Sequence, residues 1–102
     1  MHSVVQNRSE ELAGLCRDFR VESLVLFGSA ARGDFNPERS DVDLLVEFAT
    51  PLSPGYADRY LDFALAVEKL LGCRVDLITR RSITNPIFKR CIDRDMVELY
   101  AA

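Results

Sequence analysis

The chain has 102 residues, of which 48% are hydrophobic and 28% charged, and a formal net charge of −3 at pH 7. That length supports one domain, residues 1–102, around a modest core. The acidic balance argues against a protein that holds nucleic acid by its phosphates, and no apolar run approaches the roughly 18 residues of a membrane span.

The opening stretch MHSVVQNRSEEL has neither a basic nor an apolar leader, so no secretion signal is expected and the chain is placed in the cytoplasm. Ser3 with Gln6 three residues on has the form of a capping box. Val5, Leu12, Leu15, Cys16 and Phe19 then recur at helical spacing, which predicts a helix over about residues 3–18. ESLVLFG, closed by Gly28, is a short apolar run of the kind that forms a buried strand. A loop through Asn36-Pro37 leads to a second strand, DVDLLVEF, and ATPLSPG at residues 49–55 is a break. Tyr56, Tyr60, Phe63, Ala64, Val67, Leu70 and Leu71 form one stripe of a helix that Gly72 ends. CRVDLIT is a third strand. Asn85 and Pro86 open a last helix with Ile87, Phe88, Cys91 and Ile92 as its apolar set, and MVELY closes the chain as a strand. This order predicts an α/β (α+β) fold: a small mixed sheet with helices packed on it.

Cys16, Cys73 and Cys91 are odd in number, far apart and outside any C-x-x-C, which fits reduced core thiols better than a disulfide frame or a zinc site. His2, the sole histidine, lies at an end expected to be mobile. Chemistry must then rest on carboxylates, hydroxyls, lysine, arginine or bound metal.

The carboxylates are placed unusually. Asp41 and Asp43 are two residues apart, so on a strand they share a face at about 7 Å and repel by roughly 2–3 kcal/mol at an effective dielectric of about 20. Aspartate is depleted in strands, yet Asp43 leads directly into Leu44, Leu45 and Val46, and Asp76 stands in the same relation to VDLIT. Gly28-Ser29 ends the preceding strand at a turn that can offer backbone N–H groups and a hydroxyl to phosphate oxygens. Three converging carboxylates are unfavourable alone but make an oxygen cage for a divalent metal such as Mg2+, shared with substrate phosphates. Two such ions can clamp the attacking and leaving oxygens of a phosphoryl displacement.

FGSAARGDFNPERSDVDLLVEF followed by LGCRVDLIT resembles the minimal nucleotidyltransferases of the DNA polymerase β superfamily over about residues 20–100. The resemblance implies a polymerase-β-like fold in which Gly28 and Ser29 hold the triphosphate of ATP. It implies that Asp41 and Asp43 bind two Mg2+ ions. Asp76 would complete the catalytic metal site and help deprotonate the attacking hydroxyl. Arg32 is a phosphate contact or a surface arginine, Gly33 a turn residue, and Glu47 a bystander or salt-bridge partner. Lys89, Arg90 and Arg94 read as a solvated helix face. Minimal members of the family are similar to antitoxins that add AMP to a tyrosine of a HEPN-type toxin, so a cognate toxin is the expected partner and a hetero-oligomer is allowed. Leu61 and Leu65 fall about 120–160° from the core stripe of their helix, between Asp58 and Glu68, and suit such an interface. Two other readings stand beside this one: a binding module that neutralises its toxin by occlusion, and a transferase acting on a small molecule such as an antibiotic.

Overall fold

The computed structural model describes residues 3–33, 36, 41–49 and 54–102, apart from the side chain of residue 81. His2, the Pro37 part of the loop and residues 50–53 of the expected break lie outside the described residues.

The first helical stretch is two helices, α1 (Ser3–Gln6) and α2 (Ser9–Asp18). At the interruption, Arg8 N–H reaches back only to Val5 O, at 3.0 Å, a tightened i−3 bond. Asn7 and Ser9 compete for backbone hydrogen bonds and weaken a helix interior, while Glu10 and Glu11 favour a fresh helix start. The expectation of one helix over 3–18 is corrected accordingly. Its core side is as expected, with Val5, Leu12 and Cys16 buried and Leu15 and Phe19 packed against them.

Strands β1 (Val21–Phe27), β2 (Val42–Phe48), β3 (Val75–Thr79) and β4 (Val97–Ala101) form one sheet in the order β3-β2-β1-β4. β1 is antiparallel to both β2 and β4, whereas β2 and β3 run parallel. A parallel pair needs a crossover, and helix α4 (Tyr56–Leu71) supplies it. Gly72 stops α4 in the left-handed region at φ 72°, its N–H bonded to Glu68 O at 2.8 Å. Among the described residues no helix is long and apolar enough to cross a membrane.

Strand alternation divides the core between the two faces of this sheet. On one face Leu24, Leu26, Leu44 and Val46 pack with Phe63 and Val67 of α4 and with Leu12 and Cys16 of α2. On the other, Val25, Phe27 and Leu45 form a smaller buried cluster with Ile92 of helix α5 (Pro86–Asp95), with Ile78 and Ile83 alongside and the Phe88 ring edge-on to Phe27. Asn85 caps α5 as expected, its Oδ1 accepting from Ile87 N–H at 2.9 Å. The apolar set expected on α5 is not a core stripe, however: Ile92 is buried, but Cys91 is exposed and Ile87 and Phe88 are 73% and 43% exposed. This one short helix packs on the two central strands through Ile92 and seats only part of its apolar side. The three cysteines are free, and only Cys16 is buried, its thiol pushed up to about 12 by that burial.

Candidate active site

The incompletely covered face carries the acidic residues. Phe27 is the register partner of Asp43 across β1 and β2, and Asp43 is the register partner of Asp76 across β2 and β3. Paired residues on adjacent strands share a face with backbones about 4.8 Å apart, so Asp43 and Asp76 stand side by side. The chain leaves β1 at Gly28 and turns into a single helical turn, α3 (Ser29–Arg32), which the sequence reading did not anticipate beyond its glycine–serine turn. Gly33 ends that turn in the left-handed region at φ 92°, consistent with its expected turn role.

Gly28 is required here for two reasons. Its φ of 73° and ψ of −153° lie in a region open essentially to glycine alone. A Cβ at this position would also collide with the Asp43 carboxylate. The turn is thus drawn tight against the acid, which brings Ser29 and Asp43 to one place.

Gly28, Ser29, Arg32, Asp41 and Asp43 line a single cavity of about 530 Å³, within the usual range for small-molecule sites. Its opposite wall is α5, through Phe88, Cys91, Arg94 and Asp95. Asp76 lies beside Asp43 and is not among the lining residues. Arg32 points at that wall, its Nη1 3.3 Å from Asp95 Oδ2, and Arg94 Nε lies 3.6 Å from Asp95 Oδ1. Arg94 is exposed, as expected of a solvated face, and also lines the cavity. Nothing local in the sequence marks the α5 wall, because its residues come to the Gly28 turn only through tertiary packing of the helix on the sheet. Glu47 is a salt-bridge partner, with Arg80 Nε 3.8 Å from its Oε2.

Burial first, then the charges of Asp76 and Asp41, push the Asp43 carboxyl up to about 6 from an ordinary value of 3.8, while Arg32 pulls the other way. Asp43 binds its proton more tightly in the folded chain than in the unfolded one. Its contribution to stability is therefore full below about pH 4 and is lost as the pH rises through about 6. At a half-buried site open to solvent screening this amounts to about 1–2 kcal/mol. Urea melts in EDTA from pH 4 to 7 are expected to show it as a widening stability deficit of wild type against Asp43→Asn. A constant difference across that range would mean that Asp43 titrates as an ordinary aspartate.

The fit to a divalent cation is one of chemistry more than of a ready cage. Among the described residues no three His, Cys, Asp or Glu side chains are gathered closely enough to hold an ion by themselves. Asp41 is turned instead to Arg74, whose Nε lies 3.1 Å from its Oδ1, in an exposed pair worth at most about 1 kcal/mol and easily exchanged. The donors are hard carboxylate oxygens whose mutual repulsion a cation would relieve. Magnesium is usually held by one or two carboxylates and completed by substrate phosphates, so these residues fit it.

Residues 9–97 match the model of the nucleotidyltransferase domain family. A Methanocaldococcus jannaschii protein provisionally named a protein adenylyltransferase is 44% identical over 79 residues, 78% of this chain and 77% of its own length. A solved structure, provisionally described as a minimal nucleotidyltransferase, superposes with a TM-score of 0.77 at 32% identity and 95% coverage of both chains. One chain of a toxin–antitoxin crystal structure with AMP-PNP shares the fold, with a TM-score of 0.71 at 23% identity over 92% of this chain and 73% of that one. The expected nucleotidyltransferase fold is thereby met, small mixed sheet and packed helices included. Because the matched region takes in β1, β2, β3 and the whole stretch from Gly28 to Asp76, the chain belongs to the nucleotidyltransferase domain family and is a nucleotidyltransferase.

Proposed function

We propose that this nucleotidyltransferase moves AMP from ATP to a hydroxyl of a protein, the tyrosine of a cognate HEPN-type toxin, and so acts as an antitoxin. The observation that carries the reading is the junction of Gly28-Ser29 with Asp43 in a nucleotide-sized cavity, with Asp76 paired beside Asp43 on the next strand. The name of the Methanocaldococcus jannaschii relative supports a protein acceptor, and the toxin–antitoxin complex holding AMP-PNP has a chain of the same fold.

In this mechanism the Gly28-Ser29 turn binds the β- and γ-phosphates through its backbone N–H groups and the serine hydroxyl, with Arg32 beside them. Asp41, Asp43 and Asp76 are the carboxylates that would hold Mg2+, which when bound supplies charge neutralisation at the phosphoryl oxygens and lowers the acidity barrier of the attacking hydroxyl. Asp76, exposed beside Asp43, takes the hydroxyl proton on a carboxylate oxygen. The acceptor oxygen bonds to the α-phosphorus as the bond from that phosphorus to the bridging oxygen breaks, and pyrophosphate leaves. The cavity lies on the sheet face that α5 only partly covers, which suits an acceptor presented by another protein.

The test is incubation of the protein with a co-encoded HEPN-type toxin, ATP and Mg2+, followed by mass spectrometry of the toxin. A gain of AMP on a toxin tyrosine is the expected result. Inhibition of the toxin with no mass change would establish occlusion instead, and transfer to a small hydroxylated molecule but not to protein would establish the antibiotic-type reading.

The partner surface is assigned to α4. Leu61 and Leu65 are 58% and 63% exposed, on the side of the helix opposite buried Phe63 and Val67. A carboxylate forced into a desolvated contact carries a penalty of several kcal/mol, whereas on free surface it has almost none. Leu61→Asp and Leu65→Asp are therefore expected to weaken the toxin complex at least ten-fold with the melting temperature unchanged. Wild-type affinity in both variants would place the interface elsewhere.

A further inference from the structure

Of the two large apolar side chains that α5 leaves exposed, Ile87 and Phe88, only Phe88 lines the cavity. It stands one turn from the buried anchor on the same helix, Ile92, and remains 43% exposed on the wall of the cavity that contains Gly28, Ser29, Arg32 and Asp43. Its ring is held at 84° to that of Phe27, centroids 6.1 Å apart, so it is braced from beneath without being covered. Phe27 itself is only 7% exposed and has little surface to offer. The remaining lining is largely charged or hydroxylic, with Arg32, Arg94, three aspartates and Ser29. A flat apolar surface in such a groove gains when a flat, weakly hydrated group lies on it.

We propose that Phe88 is the stacking platform for the nucleobase of the bound nucleotide. The inference rests on the nucleotide-binding reading of this cavity and adds which wall receives the base. A nucleoside triphosphate is a polyanion joined to a π-face. The glycine–serine turn and Arg32 suit the polyanion, and the Phe88 ring, on the opposite wall that also carries Arg94, suits the π-face. Stacking of this kind is indifferent to hydrogen-bond pattern, because every base has a π-face. Aromatic rings provide it at little conformational cost, and truncation to alanine typically weakens base binding about 5- to 150-fold.

The discriminating ligand pair is ATP and inorganic tripolyphosphate, which shares the polyanion and lacks the base. In the presence of Mg2+, Phe88→Ala is expected to weaken ATP binding by ten-fold or more in calorimetry, leaving tripolyphosphate affinity within two-fold of wild type. Retained tripolyphosphate binding also certifies that the variant is folded. Phe88→Trp is expected to restore ATP affinity, and since the chain has no tryptophan, its emission becomes a single reporter. That emission should be quenched by ATP and unmoved by tripolyphosphate. Equal losses for both ligands in Phe88→Ala, or no loss for either, would overturn the platform with nucleotide binding intact. Wild-type protein that binds neither ligand would overturn the nucleotide reading itself, and the platform with it.

Discussion

Asp43→Asn is expected to abolish AMP transfer, by at least a thousand-fold, in a protein that melts higher than wild type. The two halves of this expectation have one cause. Asp43 is half-buried between the Gly28 turn and Asp76, and its environment already favours the protonated form. Asparagine has nearly the same shape and no charge, so the metal-free protein sheds the cost of burying a charge and the repulsion from Asp76 and Asp41, which outweigh the lost attraction of Arg32. At pH 7 the gain is about 1–2 kcal/mol after allowance for solvent screening. For a domain of this size each kcal/mol moves the midpoint by about 4–8 °C. The same substitution removes the anionic oxygen that a divalent cation needs, and with it the charge stabilisation of the transferring phosphoryl group. Calorimetric melts in EDTA with a parallel transfer assay read both quantities. A variant that melts markedly lower would identify Asp43 as a structural hydrogen-bond acceptor, and one with wild-type turnover would remove it from the site.

Gly28→Ala is expected to damage both fold and activity, and the reason can be isolated by a double-mutant cycle. The backbone at Gly28 occupies a region that costs a non-glycine residue about 1–3 kcal/mol. The added Cβ must also displace the Asp43 carboxylate, with Asp43 Cγ at 3.1 Å and Cβ at 3.4 Å from the new atom. Together these predict a loss of about 2–4 kcal/mol and a transfer rate near background. In an Asp43→Ala background the oxygen and Cγ are gone and only an ordinary contact to Cβ remains, so Gly28→Ala there should cost the backbone term alone. A coupling of at least about 1 kcal/mol between the two positions is expected from urea melts. Additive costs would mean that the carboxylate does not rest on the turn, and the account of why serine and acid meet would fail.

Much of this molecule is legible in its residues. Apolar runs closed by Gly28 and Gly72, the α4 stripe and the Asn85-Pro86 helix start all read correctly, because each is decided by neighbours within a few residues. The chemical candidates were legible for a related reason: an aspartate leading an apolar strand breaks a local rule, and Asp43 and Asp76 each do so. What tertiary structure decided was adjacency. No local signal says that β3 pairs with β2 in the register that sets Asp76 beside Asp43, or that Asp41 turns to Arg74. The apolar set of α5 has the periodicity of a core stripe, and periodicity cannot tell a side chain that meets the sheet from one that overhangs it. Ile92 is buried among Val25, Phe27 and Leu45, whereas Phe88, four residues earlier on the same helix, touches the sheet only edge-on at Phe27 and stays 43% exposed on the wall of the cavity. Pattern and composition marked most of the elements and the candidate residues, since those depend on short-range backbone and side-chain preferences, while the break between α1 and α2 and the single turn of α3 escaped them. The shape of the site depended on which surfaces the finished sheet left uncovered, and that is settled only when all the elements pack together.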